Sequence, residues 1–312
     1  MGSLAGHLFL SRMVVCMHRT FETVTGLGKR IGSVAIVLLL TGGLFLYNWT
    51  LEAVETTHTA PLVEKHDIYA WVKSHKLSKP QLHIVAEQTG VRESVVAQLL
   101  AEGKWQQLLE LQGAYFAAVQ TENVPSSIVT ISEYVVDEQG RYTDGTQFAD
   151  IQEGDILITK NSRFLGWRNG HAGLVVDAQK GLVLEAIMLG MDTKLCNIEK
   201  WLGYPSFQVL RVKEELEVPV EQVVEYASEH LVGVPYQLLA GVRGRILGSN
   251  GMTVVESEGA EVSSVKGTQC AHLVWYAYMQ VGLDLDSDGG LLVTPTDIRK
   301  SPYLEIVQSY GY

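Results

Sequence analysis

The sequence predicts an α+β protein, on three observations. Apolar residues recur at helical spacing from His66 to about Gln120, two-residue alternation takes over from Ser127, and helical spacing returns at Val220. Runs of strands with a minority of helices at both ends suggest this α+β architecture.

In chain order, residues 1–30 form a basic leader in which Arg12, Arg19, Lys29 and Arg30 oppose only Glu22. Residues 31–49, IGSVAIVLLLTGGLFLYNW, carry no charge, and at about 1.5 Å of rise per residue they match the ~30 Å core of a bilayer. Lys29 and Arg30 precede this segment and Tyr47 and Trp49 close it, so the positive-inside rule places the leader in the cytoplasm and the bulk of the chain outside. The expectation is one N-terminal transmembrane helix in the cell membrane. A cleaved signal peptide leading to secretion is the competing reading, but the leader is long for one and no A-x-A site follows the apolar run.

Residues 50–65 are polar and Thr-rich, broken by Pro61, and read as a linker. Residues 66–122 read as a helical module. Ile68, Trp71 and Val72 mark a first helix, Leu82 to Ala86 a second, Val95 to Leu100 a third after the Thr89-Gly90 break, and Trp105 to Val119 a fourth. The middle pair resembles a helix-turn-helix. A DNA-reading helix needs several basic or amide side chains, whereas this one sets Arg92 and Gln98 against Glu93 and Glu102, so packing or partner binding is the better account.

From 126 to 312 one further domain is expected. Its strands are SIVTISEYVV from Ser127, GDILITK, HAGLVVD, GLVLEAI and FQVLRV, followed by a helix over Val220 to Leu231 and another opening near Cys270. The chain has a net charge of −11, and because the leader is basic everything after it is more acidic still, which argues against nucleic acid as a partner. Cys16, Cys196 and Cys270 show neither a disulfide framework nor metal spacing. Asp284, Asp286 and Asp288 alternate like the start of a calcium loop, but the twelfth position is Pro295 where a bidentate Glu is needed, so a solvated turn is expected and no metal or cofactor.

A cysteine hydrolase needs a stabilised thiolate, an imidazole to hold the proton and a polar group to orient that imidazole. Cys270, in TQCAHLVWYAY, stands at a helix N-terminus, where the dipole and free N–H groups favour a thiolate. His171 opens the strand HAGLVV, and Glu185 follows in GLVLEA across a hairpin turn near Asp177 to Gly181, so cross-strand pairing brings the carboxylate toward the ring. Each residue alone is more often structural; the constellation carries the inference. His272, next but one to the thiol, should point away from it on the helix.

The blocks EGDILIT, HAGLVV and LEA resemble the second half of the NlpC family of cell-wall peptidases, and VGVPY with CAHLVWYAY resembles its first half. Their order is reversed, which resembles the circularly permuted branch that includes the YiiX and YycO-type proteins and is similar to lecithin:retinol acyltransferase. GLDLDSDGG and VTPTDI resemble the YycO-type tail, and the likeness spans roughly residues 150 to 310. The resemblance implies a permuted papain-like fold with Cys270 as nucleophile, His171 as base, Glu185 as the orienting residue and Tyr236 beside the oxyanion. It implies thiol-dependent hydrolysis of an amide in cell-wall peptides, with lipid or small-molecule acyl chemistry as the alternative. Ala271 and His272 depart from the family's residues after the Cys, and the Gly-rich loop 241–268 is longer than the unpermuted family's. A non-catalytic wall-binding protein keeping the fold is the reading from another class.

Overall fold

The computed structural model describes residues 36–44, 46, 57–127, 129–164, 166–242 and 265–312. The chain divides into two compact units, Met1–Val54 and Glu55–Tyr312. In the first, residues 36–44 are helical, the middle of the apolar segment. The expected leader 1–30 and both flanks of the segment lie outside the described residues. No helix among the described residues is long and apolar enough to cross a membrane.

The second unit mixes helices with two antiparallel sheets, as the periodicities predict. Four short helices come first: α1 (Tyr69–Lys73), α2 (Lys79–Thr89), α3 (Glu93–Ala101) and α4 (Trp105–Tyr115). Helix α2 starts where Ser78 and Gln81 form a reciprocal capping box and Pro80 lies in the first turn. It ends at Gly90, whose φ of +68° only glycine adopts without strain. Strands β1 (Gln120–Pro125), β2 (Thr130–Val136), β4 (Ser162–Phe164) and β5 (Trp167–Arg168) make a four-stranded sheet in that order. The main sheet runs β10 (Leu304–Tyr310), β9 (Phe207–Val212), β3 (Ile156–Thr159), β6 (His171–Asp177), β7 (Leu182–Glu185) and β8 (Lys194–Asn197). Helices α5 (Val220–His230), α6 (Cys270–Met279) and α7 (Pro295–Arg299) complete the unit.

The main sheet is covered on both faces, which is why β6 is buried at nearly every position instead of alternating. Ala172, Leu174, Leu184 and Leu210 face α5 and α6, whereas Val175, Val183, Val209 and Leu157 share a core with the helices α1–α4. The helical segment and the sheet therefore bury one another. Strand β10 ties them further: Arg92 N–H donates to the Val307 carbonyl at 2.9 Å, Ser309 N–H donates to the Gly90 carbonyl at 2.7 Å, and Arg92 pairs with Glu305. A Cβ on Gly90 would lie 2.3 Å from the Ser309 carbonyl oxygen. The turn glycine of the helix-turn-helix pattern is thus required by the docking of β10.

One local expectation is corrected. The helix expected to reach Val119 stops at Tyr115, and β1 begins at Gln120. Residues 304–310, for which the sequence predicts no element, form an edge strand whose ladder is supplied by β9, far away in sequence. In the acidic run, Asp284 accepts a bond from the Trp275 indole at 2.7 Å, while Asp286 and Asp288 approach Asp297.

Candidate active site

Strand pairing brings two of the expected polar residues, His171 and Glu185, to one place. Leu174 pairs with Leu184 and Val175 with Val183, so Glu185 projects from β7 on the same face as His171. His171 Nε2 and Glu185 Oε2 are 2.8 Å apart. Cys270 is also close enough to the imidazole to act on its protonation.

Burial alone pushes the His171 pKa down, but the neighbouring Cys270 and Glu185 outweigh it and raise the ring to about 9. For Glu185 burial pushes upward, yet His171 and the Lys200 ammonium pull it down to about 2. Both shifts favour an imidazolium paired with the Glu185 carboxylate.

Cys270 is the first residue of α6, and the helix cap fixes its position. The Gln269 side chain accepts from the Ala271 N–H at 3.0 Å and donates to the Val293 carbonyl at 2.6 Å; its Oε1 lies 3.5 Å from Cys270 Sγ. Just before it, Thr268 N–H donates to the Pro235 carbonyl at 3.0 Å and Gln237 N–H to the Thr268 carbonyl at 2.8 Å, which lays Val234-Pro235-Tyr236 beside the start of the helix. Tyr236 lines the same cleft as Cys270 and His171. Burial and the neighbouring Cys270 raise its pKa, so its hydroxyl stays protonated and remains a donor. The sheet positions His171 and Glu185, the cap positions Cys270, and one short bridge positions Tyr236.

The cleft is narrow, with an enclosed volume of about 40 Å³, and opens to solvent. Val129, Phe164, Ile187, Met188, Leu189 and Leu238 give it an apolar wall, and Ser127, Thr130, Ser162 and Asn169 line the rest. Strands β2 and β4 of the small sheet form one side, a contribution that the sequence did not suggest.

Two further residues were missed. Lys200 donates to Glu185 Oε2 at 2.6 Å and the Trp201 indole N–H to Oε1 at 3.0 Å; Trp201 also stacks on the His171 ring with centroids 5.5 Å apart. Both lie in a 3-10 turn, Ile198–Gly203, which has no hydrophobic periodicity to mark it. The available signal was Gly173. A glycine inside a strand marks a close approach, and a Cβ there would meet Val183 at 2.6 Å, Trp201 at 3.1 Å and Glu185 at 3.2 Å.

The remaining candidates fall elsewhere. His272 is buried, bonded through Nδ1 to the Thr268 hydroxyl at 2.9 Å and stacked on Tyr276. Cys196 sits on β8 opposite Val183, and both it and Cys270 are free thiols. Most of the 241–268 loop, residues 243–264, lies outside the described residues. The carboxylates of Asp286, Asp288 and Asp297 converge, but as an acidic cluster among its own turn and cap bonds. No family model matches the chain, and no curated protein matches it either.

Proposed function

We propose that the protein is a thiol-dependent acyl hydrolase in which Cys270 attacks a carbonyl carbon and His171 carries the proton. The observation that carries this reading is the buried Cys270–His171–Glu185 chain opening on a cleft. The cleft is where substrate meets the thiolate. In the first step the sulfur bonds to the carbonyl carbon, and the oxyanion is met by the Cys270 backbone N–H and the Tyr236 hydroxyl. The His171 imidazolium then protonates the leaving group, which departs to give a thioester. Neutral His171 takes a proton from water, the hydroxide adds to the thioester, and collapse releases the acid and restores the thiolate. Glu185 keeps the ring in place and balances its charge throughout.

The leading substrate class is an amide of cell-wall peptides, supported by the resemblance of the motif blocks and by the outward topology expected from Lys29, Arg30 and the apolar segment. A second reading, an aliphatic or lipid acyl group, is favoured by the apolar wall of Ile187, Met188, Leu189 and Leu238. Incubation of the full chain with wall peptides and, separately, with acyl esters, followed by mass spectrometry of the released acid, distinguishes the two. Turnover by the native chain should vanish in Cys270→Ala and drop by about 10²-fold in Tyr236→Phe. Release that persists in Cys270→Ala would rule out the thiol mechanism. Protease shaving of intact cells should remove residues 57–312; full protection would reverse the proposed topology.

A further inference from the structure

Resting on the hydrolase reading, we propose that Lys200 is a positioning residue of the reaction: its ammonium clamps the Glu185 carboxylate in the orientation that holds His171 against Cys270. Glu185 is wholly buried, and its two oxygens take three donors, with His171 and Lys200 on Oε2 and Trp201 on Oε1. The terminal torsion of a glutamate is soft and roughly two-fold, so a carboxylate held only by the two ring N–H groups of His171 and Trp201 keeps more freedom to turn than one also gripped by an ammonium. Donors on both oxygens fix the carboxylate plane. Consecutive residues of one 3-10 turn supply two of these donors, and that turn is itself set by Asn197, whose side chain accepts from the Glu199 N–H at 2.8 Å.

Charge balance points the same way. A thiolate, an imidazolium and a carboxylate sum to −1 in a buried site, and an unbalanced buried charge is costly. Lys200 brings the sum to zero. It does so from outside the substrate cleft: its side chain is 31% exposed and lines a separate cleft with Tyr134, Tyr142, Thr143 and Glu199, while its Nζ reaches a carboxylate with no exposure. No lining residue is common to the two clefts. Lys200 therefore acts on the chemistry through Glu185, without touching substrate.

The test uses the full chain and needs no substrate. Alkylation of Cys270 by iodoacetamide at pH 6, read by mass, is compared in the native chain, His171→Ala, Lys200→Met and Lys200→Arg, together with the downfield His171 Nε2–H proton resonance and the thermal midpoint of each. Lys200→Met should lose that resonance and slow alkylation about tenfold, the loss of one charged hydrogen bond, whereas Lys200→Arg retains both. In Lys200→Ala, methylammonium entering from the outer cleft should restore part of the rate, and tetramethylammonium, which has no N–H, should not. A Lys200→Met chain that alkylates at the native rate with the His171 proton in place overturns the clamp. So does a loss shared equally by Lys200→Arg and matched by its thermal midpoint, since that is a folding effect alone. If the native chain itself shows no His171-dependent alkylation, the hydrolase reading fails in that arm and the clamp falls with it.

Discussion

Replacing Glu185 by Gln keeps the length of the side chain and removes its charge, and the structure gives the cost by two routes. The carboxylate accepts from His171, Lys200 and Trp201 while fully buried; a Gln has one acceptor oxygen and places an NH₂ against at least one of those donors. Hydrogen bonds to charged groups contribute about 1.5–3 kcal/mol each, and an orphaned buried partner adds to the loss. Independently, the carboxyl pKa is pulled from its ordinary value of 4.5 to about 2, which corresponds to about 3 kcal/mol. Because the folded pKa is depressed, this stabilisation is complete above pH 4.5 and disappears as the pH falls through about 2. Urea unfolding of the native chain and Glu185→Gln should therefore differ by about 3 kcal/mol at pH 7 and by about half that at pH 3. A gap below about 0.5 kcal/mol at pH 7, the range of an ordinary surface substitution, would refute the reasoning. So would a gap that does not narrow toward acid.

The imidazolium has its own signature: His171 is raised to about 9, so its contribution to stability is complete below pH 6.5 and lost as the pH rises through about 9. The rate of Cys270 alkylation in the native chain should show a step near pH 9 that is absent in His171→Ala, and a profile identical in both chains would remove the ion pair. Gly90→Ala should destabilise the second unit by about 2 kcal/mol, since the new Cβ meets the Ser309 carbonyl oxygen at 2.3 Å in a left-handed backbone. Urea unfolding measures this, and a neutral result would mean that β10 does not dock as described.

What the sequence determined by itself was local. The periodicities at Val95 to Leu100 and HAGLVVD specify a helix and a strand because side-chain spacing on one face is a short-range property. The thiol's place at a helix start and the His-Glu hairpin were legible for the same reason: Cys270 heads an apolar run, and His171 and Glu185 are fourteen residues apart across one turn. What only tertiary structure decided involved partners distant in sequence or segments without a period. Strand β10 needs β9, about a hundred residues earlier in the chain, to complete its ladder, and the helices α1–α4 showed an apolar face without showing that the main sheet covers it. The site was divided in the same way. Lys200 and Trp201 come from an aperiodic turn, and they converge on Glu185 because β8 carries that turn beneath the strand glycine Gly173, whose missing side chain leaves room for the indole and the carboxylate.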